Sequence, residues 1–132
     1  TYFAALRDRL KPGGKAGLQI ITIKADVFDS YKKRPDFIQA YVFPGGMLPT
    51  PAHLNELGRA VSLKISNEIA FSQDYAKTLA IWRERFWVAW EKVKTLGFDE
   101  RFKRLWEFYL YYCEAGFRSE YIEVRQVTYV KS

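Results

Sequence analysis

Residues 74–117 form two helical stretches joined at Gly97, and both are loaded with aromatic rings. Tyr75, Trp82, Phe86, Trp87 and Trp90 lie on the first, and Phe102, Trp106, Tyr109, Tyr112 and Phe117 on the second. At about 100° per residue, Tyr75, Leu79, Trp82, Phe86 and Val93 share one stripe, as do Tyr109, Cys113 and Phe117. Two such stripes facing each other enclose either a dry aromatic core or a trough for a long apolar ligand. Spacing alone favours the core, because apolar helical stripes usually pack on their own protein.

The preceding residues supply an α/β rhythm. Phe3, Leu6 and Leu10 recur at helical spacing, and Lys11-Pro12-Gly13-Gly14 ends that helix. Ala16 to Ile23 is a short Ile-rich run flanked by glycine, which reads as a buried strand. Helix, Pro-Gly-Gly turn and buried strand is the order found in α/β proteins. Residues 26–42 read as helix interrupted at Pro35, where Lys32-Lys33-Arg34 forms either a solvated surface or a phosphate contact. FPGGMLPTP, residues 43–51, excludes helix and central strand, with Gly45 and Gly46 permitting a tight turn. Thr50 before Pro51 starts a helix running to about Ala60, with His53 expected to be exposed on it and without a role. A strand from about Ser62 to Phe71 precedes the two long helices, the second capped by Asp99. YIEVRQVTYVK, rich in β-branched residues, closes the chain as a third strand.

The chain has 132 residues, enough for one domain or a piece of one. A hydrophobic content of 48% argues against disorder, and no segment reaches the ~20 apolar residues of a membrane span. A net charge of +6 suits nucleic acid and anionic lipid surfaces alike. A single cysteine leaves no internal disulfide and fits a reducing cytoplasm, and His53 without companions argues against a metal site. The first residues stand directly in a helix with neither Met nor signal peptide, so the chain reads as the later part of a longer protein. Neither GxGxxG nor a P-loop is present, which assigns any nucleotide-type cofactor to the missing half.

Six blocks, in this order and spacing, carry a resemblance. They are LKPGG with ITI at 21–23, FPGGMLP at 43–49, DYAKTL at 74–79, GFDERFKRLWEFYL at 97–110, CEAGFR at 113–118, and the final strand with Gln126. Together they resemble the C-terminal part of the cyclopropane-fatty-acyl-phospholipid synthase family, which includes the mycolic acid cyclopropane synthases. The resemblance implies the C-terminal half of a class I S-adenosylmethionine-dependent methyltransferase fold. The chain would supply strands five to seven, with the last strand antiparallel between the fifth and sixth, plus a helical lipid-pocket insertion. It implies methyl transfer to a cis double bond in a phospholipid acyl chain, at an anionic membrane surface in the cytoplasm. The resulting cation loses a proton to bicarbonate and closes a ring, or is diverted to a methyl or methylene product. S-adenosylmethionine would be held by the missing half.

By the same resemblance, Tyr75 helps to hold bicarbonate together with the backbone carbonyl of Ile23, while Phe43, Leu79, Tyr109, Cys113 and Phe117 line the acyl-chain pocket. The family commonly has His-Thr-Ile where this chain has Ile21-Thr22-Ile23, and that histidine is a bicarbonate ligand. Ile21 can neither donate a hydrogen bond nor carry charge. Gln19, on the same strand face, is displaced by about 6.6 Å. The expectation is therefore a branch of the family that does not close the ring. Cys113, in an apolar stripe, reads as a buried wall residue and not a nucleophile. Two rival readings are a non-enzymatic lipid-binding domain and a nucleic-acid binder. The second is disfavoured, because the aromatics sit at helical spacing instead of interleaving with cations on strands. Half a sheet leaves an unpaired edge on the first strand, which predicts a homodimer formed through that edge or by swapping.

Overall fold

Three extended runs, β1 (Lys15–Ile23), β2 (Leu63–Ala70) and β3 (Ile122–Lys131), form one sheet in the order β1-β3-β2. β3 is antiparallel to both neighbours, so β1 and β2 run parallel to each other on either side of it. This is the placement of the last strand that the resemblance implied. The computed structural model describes residues 2–132. They separate into two compact units, one running up to Phe71 together with Ile122–Ser132, the other Ser72–Tyr121. The sheet belongs to the first unit.

Four helices accompany the sheet in this unit: α1 (Tyr2–Arg9), α2 (Ala25–Tyr31), α3 (Phe37–Tyr41) and α4 (Pro51–Arg59). Leu54, Leu63, Val127 and Tyr129 are buried at its centre, with Phe3, Leu6, Leu10, Leu18, Ile20, Val61 and Ile65 packed around them. Each such side chain withdrawn from water contributes about 1.5–3 kcal/mol before entropy is counted. Tyr129 is the largest of the fully buried side chains, and its hydroxyl donates to the Leu54 carbonyl at 2.8 Å. Burial, followed by the charge of Glu68, pushes its phenol up to about 12. Gly58 is required beside it, since a Cβ there would stand 2.6 Å from Tyr129 Cε1 and 3.1 Å from the Leu63 carbonyl oxygen. The helix end is tied as well: the Lys131 ammonium donates to the Arg7 and Leu10 carbonyls at 3.0 and 2.8 Å, closing the C-terminus of α1.

Two expectations need correction. β1 is only half-buried: Lys15, Gly17 and Gln19 are exposed while Leu18 and Ile20 join the core. Its Ile-rich run hides this alternation, which arises because the core covers one face of the strand. His53 is not an exposed bystander either. Its Nδ1 accepts the Thr50 N–H at 3.2 Å while Thr50 Oγ1 accepts the His53 N–H at 3.3 Å, a capping box with histidine in the place usually held by Glu or Gln. Phe28 meets the His53 ring edge to face at 4.8 Å. The interruption at Pro35 is as expected: α2 stops at Tyr31, and Asp36 caps α3 by accepting the Gln39 N–H at 2.9 Å.

Candidate functional site

The second unit is a helical hairpin. α5 (Ser72–Lys94) and α6 (Glu100–Arg118) are joined by a turn in which Gly97 has φ +94°, a conformation that costs other residues strain. Asp99 Oδ1 accepts the Phe102 N–H at 2.8 Å and starts α6 as expected. Contacts run Trp90–Glu100, Phe86–Phe102, Arg83–Glu114 and Tyr75–Phe117, so the helices are antiparallel.

Toward the Tyr75 end, the hairpin gathers five of the residues singled out by the sequence. The Tyr75 ring meets Phe117 at 4.9 Å and Trp82 at 6.1 Å, both edge to face. Leu79, one turn along α5, is 2% exposed, and Phe117 1%. Tyr109 and Cys113 stand one turn apart on α6. Burial, then the proximity of Cys113 and of Tyr75, pushes the Tyr109 phenol up to about 12. Cys113 is half-buried, less enclosed than its stripe suggested, and its contact with Tyr109 fits a wall residue. Trp106 extends the aromatic wall, 4.8 Å from Tyr109. The stripe on α5 is not sealed: Trp82 is 46% exposed, while Phe86 and Val93 are half-buried. The arrangement is chemically simple. A phenol hydroxyl on Tyr75 and one on Tyr109 stand among rings and aliphatic groups whose π-faces tolerate cationic character.

Ile23 and Phe43 belong to the other unit. Ile23 is 1% exposed, and its N–H donates to the Pro49 carbonyl at 3.0 Å. Ile21 and Ile23 pair with Val124 and Ile122 across the β1–β3 ladder, while the Thr22 hydroxyl accepts from Arg125 Nε at 3.2 Å. The end of β1 is thus apolar at Ile21, and it does not fit a bicarbonate ligand there. Phe43 is 57% exposed at the turn that follows α3.

An ionic cluster inside the hairpin was not among the features singled out from the residues. Arg83 of α5 pairs with Glu114 of α6, which also accepts from Arg118 Nε at 2.8 Å. The Arg83 and Glu114 side chains are only 13% and 10% exposed. The guanidinium also lies over the Tyr111 ring at 3.9 Å and near Trp87 at 5.5 Å. Burial alone would raise the Glu114 carboxyl, but hydrogen bonds from Arg83 and Arg118 outweigh it and hold the group below its ordinary value. The available signal was that Arg83 and Glu114 each interrupt an apolar face. A second cluster ties the sheet: Arg125 of β3 pairs with Glu68 of β2 and with Glu123.

Among the described residues no helix is long and apolar enough to cross a membrane. The chain is 43% identical over 131 residues to the tuberculostearic acid methyltransferase of Mycobacterium tuberculosis, covering 98% of this chain and 31% of that protein. It is 33% identical over 129 residues to the cyclopropane-fatty-acyl-phospholipid synthase of Escherichia coli, covering 98% and 32%. The solved structure of a mycolic acid cyclopropane synthase complexed with SAH and CTAB superposes with a TM-score of 0.88 at 25% identity, covering 98% of this chain and 48% of that one. The chain therefore spans about a third of the length of these curated relatives, and its fold is part of the S-adenosylmethionine-dependent methyltransferase fold. The profile described as mycolic acid cyclopropane synthetase matches residues 1–127, and the chain belongs to that family.

Proposed function

We propose that this chain is the acyl-chain-binding, C-terminal part of a bacterial methyltransferase that modifies the double bond of unsaturated acyl chains in phospholipids. The observation that carries this reading is the cluster of Tyr75, Leu79, Tyr109, Cys113 and Phe117 at one end of the hairpin, in a chain matched by the family over nearly all its length. S-adenosylmethionine supplies the methyl group when bound, and the residues that hold it belong to the preceding part of the parent protein. The residues of this chain take the tail. Leu79, Phe117 and Tyr109 exclude water from it, and the Tyr75 hydroxyl provides a hydrogen-bonding group beside the reacting carbons. By the sequence resemblance, Ile23 is proposed to act through its backbone carbonyl and Phe43 as a wall residue.

The product is inferred to be methyl- or methylene-branched and not a cyclopropane. Ile21 sits in an apolar ladder position, opposite Val124, where an anion ligand would be needed. The greater identity to a relative named as a methyltransferase than to one named as a cyclopropane synthase is in keeping with this. The enzyme would work at the inner, cytoplasmic face of the membrane, and the chain by itself, half a sheet, would pair with a second copy through the outer edge of β1 or as a swapped dimer. A clean monomer in sedimentation would remove that last inference.

The test is methyl transfer from labelled S-adenosylmethionine to a cis-monounsaturated phospholipid by the full parent protein, with product analysis. Tyr75→Phe should lower kcat about 100-fold with little change in lipid affinity, the scale expected of a positioned proton-transfer or hydrogen-bonding group. A cyclopropyl product with ordinary bicarbonate dependence defeats the branch assignment. Lipid binding with no methyl transfer by the full parent would leave only the non-enzymatic binding domain.

A further inference from the structure

Residues 37–55 contain no Asp, Glu, Lys or Arg, and shortly before them stand Lys32, Lys33 and Arg34. Within this uncharged stretch Tyr41, Phe43 and Met47 are 70%, 57% and 58% exposed. Three large apolar side chains presented to water within one short stretch ask for a partner. The stretch is nonetheless tied down. The Phe43 N–H donates to the Ile38 carbonyl at 2.7 Å, and Gln39 Nε2 donates to the Gly46 carbonyl at 2.6 Å. The Leu48 N–H donates to the Tyr31 hydroxyl at 3.0 Å. This bond ties the turn that carries Met47 back to the end of α2, which the basic residues follow directly.

The local charges are sorted to the same end. Asp36 turns its carboxylate onto the Gln39 N–H as the cap of α3. Asp29 pairs with Lys32 at 2.7 Å, which leaves the net positive charge on the exposed Lys33 and Arg34.

We propose that this knuckle seats the protein on an anionic phospholipid bilayer, with Lys33 and Arg34 among the headgroup phosphates and Tyr41 and Met47 in the interfacial layer. The proposal rests on the lipid reading above and names the surface through which the protein reaches its substrate. A lipid surface rewards both halves of the patch: cations for phosphate, apolar and aromatic groups for the acyl boundary. A nucleic acid would use the cations and leave the apolar side chains in water.

The experiment is co-sedimentation of this chain with vesicles of phosphatidylglycerol and phosphatidylcholine, or of phosphatidylcholine alone. Lys33→Ala/Arg34→Ala should weaken binding to the anionic vesicles roughly 30-fold, at about a fivefold loss per basic residue. Tyr41→Ser/Met47→Ser should weaken binding to both compositions. Lys92→Ala/Lys94→Ala, which removes the same charge from the end of α5, should change binding less than threefold. Equal binding by all variants overturns the proposal, as does a loss in the Lys92/Lys94 control matching that in Lys33/Arg34. Single-stranded DNA competing the chain off the vesicles through Lys33 and Arg34, with no effect of Tyr41 and Met47, also overturns it. The assay involves no chemistry, so a failure here alongside successful methyl transfer by the parent removes the docking surface and leaves the proposed function standing.

Discussion

Glu114→Gln is the most informative single change in the hairpin. It keeps the shape of the side chain and removes the charge that faces Arg83, whose side chain is 13% exposed. Breaking a buried pair by removing one partner typically costs about 3–5 kcal/mol, because the remaining charge is left without compensation. Two features soften the loss. The amide oxygen still accepts one hydrogen bond, and the guanidinium keeps its place over the Tyr111 ring, which together retain roughly 1 kcal/mol. Arg118 lies mostly in solvent and adds little. The expected destabilisation is therefore about 2–4 kcal/mol.

Urea unfolding followed by tryptophan fluorescence measures it directly, since Trp82, Trp87, Trp90 and Trp106 all lie in the hairpin. The pH dependence gives a second readout. The Glu114 carboxyl is held below its ordinary value of 4.5 in the folded state. Its stabilisation is thus present above that value and is lost as pH falls toward and through the lower, folded pKa. Glu114→Gln should abolish this part of the acid slope. A third readout is the double variant Arg83→Leu/Glu114→Leu, expected to recover most of the loss, since an apolar pair of similar volume avoids the desolvation of both charges. A Glu114→Gln protein within about 0.5 kcal/mol of wild type, with its acid slope intact, would refute the reasoning, because surface substitutions alone give changes of that size.

Gly58→Ala sets a helix gain of about 0.5–1 kcal/mol against overpacking of about 1–3 kcal/mol on Tyr129 and the Leu63 carbonyl; a net loss of stability in urea is expected, and a gain would show that the Tyr129 ring yields. Asp99→Ala should cost about 1 kcal/mol through loss of the bond to the Phe102 N–H, with Asp99→Ser recovering most of it in the same assay. Tyr109 should ionise near 12 by ultraviolet titration and not near 10. Because its folded pKa is raised, its contribution to stability is complete below pH about 10 and is lost as pH rises through about 12; titration of Tyr109 with the exposed tyrosines would exclude its burial against Cys113.

What could be read directly from the residues was local. The Pro-Gly-Gly stop after α1, the Thr50-Pro51 start of α4 and the Asp99 cap of α6 depend on groups within three or four residues of each other, and all three are where the sequence places them. The central position of β3 is different in kind. Nothing in its own pattern distinguishes a middle strand from an edge, and it followed only from the family resemblance. The misreadings have the same root. His53 looked idle because its Nδ1 stands in for a Glu or Gln oxygen in the capping box, a substitution the usual motif does not include. β1 looked buried because isoleucines occupy both of its faces near the end of the strand.

The hairpin illustrates the limit most clearly. Tyr75 and Phe117 are legible as a site because each belongs to a stripe, and their 4.9 Å contact follows once two stripes are brought face to face. Arg83 and Glu114 belong to the same helices, yet 31 residues separate them, and each alone reads as an ordinary solvated helical charge. Only the antiparallel register, set by the turn at Gly97, brings them together. Glu114 stands one turn before Phe117 on α6, so the ion pair that fastens the helices lies beside the ring that backs Tyr75. The proposed pocket for a neutral tail would gain from this placement. Arg83 is a cation driven into the aromatic interface of the hairpin, and the carboxylate neutralises it there. The same two side chains hold the helices together and keep an uncompensated charge out of their shared face.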